Sequence, residues 1–311
     1  MEHVRWSARP SLRSPIMVCA FTGWNDAGDA ASTALAHLTR SWQAQPLAEI
    51  DPEEFTDFAT VRPMVKLTPE RQRVIEWPSV DLWHASTPGG DVVLLLGPEP
   101  ALRWRLFTEQ VVGIAHELNV SMVLSLGALL ADVPHSRPTQ IIGTATDQAM
   151  VDRFDLQRSR YEGPTGIVGV VHDACTRADL PSASLWAAVP AYASQVPSPK
   201  AALALVERAC EMIGTPPPVG SLRADADRYD ERVSAFVADD DDLIGYVDRL
   251  ESMSDDELYD DEDDDTVGGE LVDETVDEPG LGSQELIAAL DSEELMLEVE
   301  KFLRDQDGPE R

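Results

Sequence analysis

Unbroken apolar runs alternate with stretches of helical periodicity along much of this 311-residue chain. Ile16-Met17-Val18-Cys19-Ala20-Phe21 is an apolar run stopped by Gly23, as in a strand buried on both faces. Behind it, Ala27, Ala30, Ala31, Ala34 and Leu38 recur at helical spacing and predict a helix over 26–38, with small side chains that allow close approach to a sheet. Asn25 or Asp26 is placed to cap that helix, and Asp29 suits its positive end. Comparable runs predict strands over 91–97, 120–127, 139–145, 166–171 and 183–189, with a helix over 103–118. Residues 47–77 carry shorter, mixed runs, the pattern of an antiparallel excursion. Apolar strands separated by helices predict an α/β fold with a mostly parallel sheet covered on both faces.

The pattern then becomes helical. Ser198 followed by Pro199 opens a helix that Gly214 closes, and TPPPVG over 215–220 breaks the chain. Leu222, Ala226, Tyr229, Val233, Phe236 and Val237 share one helical face, and Leu243, Ile244, Val247 and Leu250 share another. The expected organisation is an N-terminal arm over 1–14, an α/β core over 15–220, a helical hairpin over 221–252 packed on the core, an acidic linker over 253–282, and amphipathic terminal helices over 283–306. Leu295, Met296, Val299, Phe302 and Leu303 cluster on one side of the last helix. That face suits docking into a partner's groove, and equally suits folding back on its own domain.

Charge divides the chain near the same boundary. Residues 1–220 hold 24 acids and 17 bases, whereas 221–311 hold 33 and 7, within a formal net charge of −33. Nine of the eleven residues over 255–265 are acidic, so 253–282 is expected to be disordered. A polyanion has no electrostatic reason to bind nucleic acid or an anionic membrane. No apolar run is long enough to span a bilayer. Residues 1–14 carry Arg5, Arg9 and Arg13 and no apolar signal core. Cys19, Cys175 and Cys210 fall at no metal or disulfide spacing, and a reducing, cytoplasmic location is expected.

Candidate chemistry gathers where strands end, since ligands of parallel sheets sit beyond the carboxyl ends of the strands. The first loop, Gly23-Trp24-Asn25-Asp26, is either an amide cradle for an anion or a capped helix start, and Asp26 and Asp29 oppose an anion. In the second, Glu99 precedes Arg103 and Arg105, which either receive an anion or pair with Glu99. The third places Asp132, His135 and Arg137 within six residues, as an acid–base pair with an anion clamp or as braces of a proline-bounded loop. The fourth offers Tyr161 and Glu162 beside Gly163 and Gly166. No P-loop, GxGxxG, GxSxG or HExxH motif occurs, and no nucleophile pairs with these groups.

Several uncommon segments occur together in order: FTGWNDAGDA at 21–30, AEIDP at 48–52, WP at 77–78, GPEP at 97–100 with RWR at 103–105, LGALLADVPH at 126–135, YEGPTG at 161–166 and SLWAAVP at 184–190. In these the chain resembles the actinobacterial branch of the proteasome assembly chaperone 2 family. The resemblance implies a three-layer α/β/α sandwich similar to the nucleoside phosphorylase fold, and assembly as a homo-oligomer, a trimer being one form. Relatives dock on proteasome rings through a C-terminal hydrophobic-Tyr-X tail; this chain ends Asp307-Gly308-Pro309-Glu310-Arg311 and departs from it. The favoured function is a non-enzymatic, chaperone-like interaction or assembly protein without a cofactor. It would meet itself, and an unidentified protein partner through the acidic tail and terminal helix. The alternative is an enzyme or sensor of a nucleoside-like or carboxylate ligand. Its site would draw on Trp24, Asn25, Asp26, Glu99, Arg103, Asp132, His135, Arg137, Tyr161 and Glu162, with Asp132, His135 and Glu162 as catalytic candidates.

Overall fold

The computed structural model describes residues 2–69 and 71–253. The expectations for 254–311, the acidic linker and the terminal helices, fall outside the described residues. In chain order the elements are β1 (Val4–Trp6), β2 (Ile16–Thr22), α1 (Ala30–Ser41), β3 (Gln45–Ile50), β4 (Met64–Leu67), β5 (Arg73–Glu76), β6 (Val80–Thr87), β7 (Gly90–Pro98), α2 (Trp104–Glu117), β8 (Met122–Ala131), β9 (Ile141–Ala145), α3 (Gln148–Phe154), α4 (Ile167–Arg177), β10 (Ser182–Pro190), α5 (Pro199–Ile213), α6 (Gly220–Ala238) and α7 (Asp241–Ser252).

The middle layer is a sheet of order β1-β3-β6-β7-β2-β8-β10-β9. Its four central strands, β7, β2, β8 and β10, run parallel, while β6, β3 and β1 on one side and β9 on the other pair antiparallel. The apolar runs correspond to the parallel strands because those are covered on both faces. Alternation along β2 shows the two covers: Val18 and Ala20 join the cluster that includes α1 and α5, and Met17, Cys19 and Phe21 join the cluster that includes α2 and α4. Ala30, Ala31 and Ala34 are fully buried, as the small-residue stripe of α1 predicts. The three layers are therefore α/β/α. Outside α5, Leu222 and Ala226 extend the first core onto α6, and Tyr229, Val233 and Val237 join Val247 of α7 in a satellite cluster.

The chain departs from its local pattern in several places. Residues 166–171, expected as a strand, begin helix α4. The β-branched run is ambiguous over so few residues. Its longer context resolves it, because Ile167, Val168, Val171, Ala174 and Cys175 are buried at helical spacing. The first helix begins at Ala30, after a tight turn in which Gly28 and Asp29 are left-handed, with φ of 57° and 50°. Residues 1–14 supply β1, a three-residue edge strand paired with β3 and too short to be distinguished by periodicity. Strand β6 escapes the apolar-run criterion because Asp81, Trp83 and His84, only half-buried, interrupt the buried Val80, Leu82 and Ala85. The antiparallel excursion exists as β3 and as a separate hairpin, β4–β5, whose every residue is exposed.

Gly97 shows how closely the sheet is drawn at the GPEP segment. A Cβ there would stand 2.6 Å from the Val80 Cα and 2.9 Å from the Ser79 carbonyl oxygen, both backbone of the neighbouring strand. Gly97→Ala is expected to destabilise the fold by about 1–3 kcal/mol, because no flexible side chain can yield. Urea unfolding checks this, and an unmoved midpoint with an unchanged m-value contradicts it.

Candidate functional site

The loops at the carboxyl ends of β2 and β7 are joined by one carboxylate. Asn25 is buried, and its Nδ2 donates to Glu99 Oε1 at 2.7 Å. The same oxygen accepts the Ile167 amide at 2.8 Å, at the first residue of α4. Helix α4 follows Gly166, which has no side chain to cap it, so Glu99 supplies the acceptor and the negative charge that a helix N-terminus favours. Gly166 also leaves room for the Asn25 amide, which lies where its Cβ would be. Asp26 is buried too, and its Oδ1 accepts the Ala31 and Ser32 amides at 2.7 and 3.2 Å, capping α1 from a distance. Burial raises its carboxyl above the usual range, against those hydrogen bonds. Trp24, by contrast, is 56% exposed. Arg103 pairs with Glu54 at 2.5 Å rather than with Glu99.

The third loop faces elsewhere. His135 is buried; its Nδ1 lies 2.8 Å from the Tyr192 hydroxyl and its Nε2 2.9 Å from Ser234 Oγ of α6. Asp132 accepts from the Tyr246 hydroxyl of α7 at 2.7 Å. Arg137 donates to the Glu251 and Met253 carbonyls at 2.7 and 2.6 Å. Lys200 binds the His135 carbonyl and reaches Asp230 of α6 at 2.8 Å. These groups fasten α6 and α7 to the end of the sheet. Burial holds the His135 imidazole below its ordinary range, opposed by Asp230 and Glu251 and reinforced by Lys200.

The cavity that does form, about 1190 Å³, lies over β8, β10 and β9 on the side of α4, and runs up to the first and fourth loops. Of the residues expected around a ligand, it takes in Trp24, Asp26 and Tyr161; Asn25, Glu99, Arg103, Asp132, His135, Arg137 and Glu162 are not among its lining residues. Glu162 is exposed. The Tyr161 hydroxyl donates to the Pro164 carbonyl at 2.8 Å. The floor comes from residues outside the four loops. Thr144 and Ser184 hydroxyls are 2.8 Å apart, and the Trp186 indole donates to Ser184 Oγ at 3.2 Å. His172 lies 2.6 Å from Thr146 Oγ1 and 3.0 Å from Ser182 Oγ, so both ring nitrogens are engaged, and burial lowers its pKa. Leu129, Leu130, Ile142, Val168 and Val196 make much of the wall apolar. The signal for this floor was the pair of serines at period two in an apolar strand, Ser182 and Ser184. The cysteines are buried thiols raised by burial, Cys175 to about 12, and none is poised as a nucleophile. Among the described residues no group of three His, Cys, Asp or Glu is placed to hold a metal ion.

The model of the PAC2 family matches residues 20–237, which span the sheet, the cavity and α6. The chain belongs to the PAC2 family. A crystal structure of a PAC2 family protein from Streptomyces avermitilis is 44% identical, covers 75% of this chain and 99% of its own, and superposes with a TM-score of 0.70. A proteasome-assembly chaperone homologue from Mycobacterium tuberculosis is also 44% identical, over 75% and 99% of the two chains, with a TM-score of 0.68. PbaB of Pyrococcus furiosus, an archaeal proteasome activator, shares the fold at 15% identity, covering 75% of this chain and 97% of its own, with a TM-score of 0.62. No curated protein matches the sequence. Among the described residues no helix is long and apolar enough to cross a membrane.

In this PAC2 protein, Glu99→Ala orphans the Ile167 amide and the Asn25 side chain, and a loss of about 1–3 kcal/mol is expected. Thermal unfolding measures it; a melting temperature equal to wild type would show that the bracket carries no weight. The imidazole of His135, depressed on folding, contributes stability that is present above about pH 6.5 and lost as pH falls through the folded value. His172 acts in the same sense. Stability should therefore drop between pH 7.5 and 5.5, and His135→Gln should lessen that drop. An identical pH dependence in the variant would contradict this.

Proposed function

We propose that this protein is a non-enzymatic, chaperone-like interaction or assembly protein of the cytoplasm that acts as a homo-oligomer. Its acidic segment 253–282 and terminal segment 283–306 meet a protein partner, without nucleic acid and without membrane insertion. The observation that carries the reading is apolar surface left in water. Met64, Val65, Leu67, Val74 and Ile75 of the β4–β5 hairpin, with Trp77, are 41–65% exposed. An isolated two-stranded hairpin is marginal in water, and a concentration of exposed large apolar side chains supports a protein contact there. Family membership supports the same reading, since two relatives are described as a proteasome-assembly chaperone homologue and an archaeal proteasome activator.

The alternative, a nucleoside-like or carboxylate ligand bound by the strand-end loops, draws support from the cavity and loses it from the contents. The Asp132, His135 and Arg137 set is engaged with α6 and α7, and Glu99 and Asn25 are engaged with each other. An acid–base pair needs groups within reach of one reacting atom, and the expected candidates Asp132, His135 and Glu162 do not line the cavity.

Size-exclusion chromatography with light scattering on the full chain should give a mass that is a multiple of 34.0 kDa. A single-chain mass across micromolar concentrations would remove the homo-oligomer. Affinity capture from extract with the full chain and with one ending at residue 253 should give different partner sets. Identical sets would remove the role of the acidic segment.

A further inference from the structure

We infer that the β4–β5 hairpin of one copy seats in the cavity over β8, β10 and β9 of the next copy. The inference rests on the homo-oligomer reading and says how the copies meet. The hairpin is two-faced. One side carries the Lys66–Glu76 ion pair, at 2.5 Å, with Met64 and Val74; the other carries Val65, Leu67 and Ile75 with Arg73. Both faces mix apolar and charged side chains, and the larger apolar share, Val65, Leu67 and Ile75, lies on the second, the side suited to a cover. No part of its own chain covers it, since every residue of both strands is exposed.

The cavity is the complementary unsatisfied feature. Trp24 and Leu130 stand at 56% and 48% exposure among its lining residues, a large apolar pair left in water. Its volume, about 1190 Å³, exceeds the roughly 300–1,000 Å³ of ordinary small-ligand pockets. Two strands of four residues make a ribbon roughly 14 Å long and, with side chains, roughly 10 Å across in each other direction. That is the same order of volume. Five of the eight strand residues of the hairpin are large, apolar and exposed.

Topology makes the occupant a second copy rather than the hairpin's own chain. The hairpin is rooted beside the start of β6: Phe58 and Trp77 meet edge to face at 5.0 Å at its base, Ser79 follows, and Val80 pairs with Ile50. Asp81 in turn faces Leu96 near the carboxyl end of β7, so the hairpin leaves from the same end of the sheet as the cavity. The cavity is floored by β8, β10 and β9, on the far side of β2 from β6. The hairpin does not fill its own chain's cavity, since every residue of both strands is exposed. Arm and socket therefore lie at one end of the sheet but in opposite halves. Such a contact is heterologous, joining different patches of the two copies, and closes into a ring when the rotation between copies allows.

The test uses the full chain with Ile75→Glu on the hairpin and Leu130→Glu in the cavity, both exposed positions, with circular dichroism to show that each variant is folded. Light scattering should find wild type as a multimer and each variant alone reduced to one chain. Mixing the two variants should restore a species of twice the chain mass, since one supplies an intact arm and the other an intact socket. A mixture of Ile75→Cys and Leu130→Cys chains should also join covalently through a short bismaleimide, which reads the contact even where a charge disturbs folding. A monomeric wild type would overturn the homo-oligomer and this inference together. A multimeric wild type that survives Leu130→Glu, or paired variants that stay monomeric and uncrosslinked, would overturn the arm-and-socket contact alone.

Discussion

The carboxylate of Glu99 is the constraint on which the upper end of this molecule depends. A helix that starts on glycine behind a sheet has backbone amides with no partner of their own. Glu99 meets one of them at Ile167 while holding Asn25 of the first loop. Strand β2, strand β7 and helix α4 are thereby locked to one another, and α4 is fixed over the centre of the sheet. Val168, Gly169 and His172 of α4 form one wall of the cavity, over β8, β10 and β9.

Polar groups elsewhere at this end do structural work that their side-chain chemistry alone does not reveal. Asp132, His135 and Arg137 have the makings of an acid–base site, yet each is turned outward toward α6 and α7. The His135 ring spends both nitrogens on hydroxyls, and Lys200 ties the loop carbonyl to Asp230. Such a network rigidifies the contact between the third loop and the two helices. Engagement of the loop by the helical hairpin explains why a loop so rich in functional residue types does not line the larger space.

The two edges of the sheet are finished differently. Beside β9, the Gln157 backbone pairs with Gly143 and Ala145, so that edge is partly closed by the chain itself. The opposite half carries the β4–β5 hairpin, with its apolar face uncovered. The described residues thus leave an apolar ribbon uncovered in one half of the sheet and a partly apolar recess in the other.

Much of the frame was readable from residue order. The apolar runs at 16–21, 91–97 and 183–189 lie in central strands because burial on both faces permits little else there. The alanine stripe of α1, the Ser198–Pro199 start and the Gly214 stop of α5 are local rules that tertiary context left in force. Candidate site residues were legible as residue types at strand ends, but not as a site. Whether Glu99 meets Arg103 or Asn25 depends on where α4 begins, and residues 166–171 were expected to be a strand. Thr144 meets Ser184, and His172 meets Ser182, only when β9 and β10 pair under α4. Sequence by itself determined the periodicities, the caps and the charge boundary, because these rest on neighbours a few residues apart. Tertiary structure alone decided which way His135 faces, what Glu99 caps and where the cavity opens, because each depends on groups about seventy to a hundred residues distant in the chain.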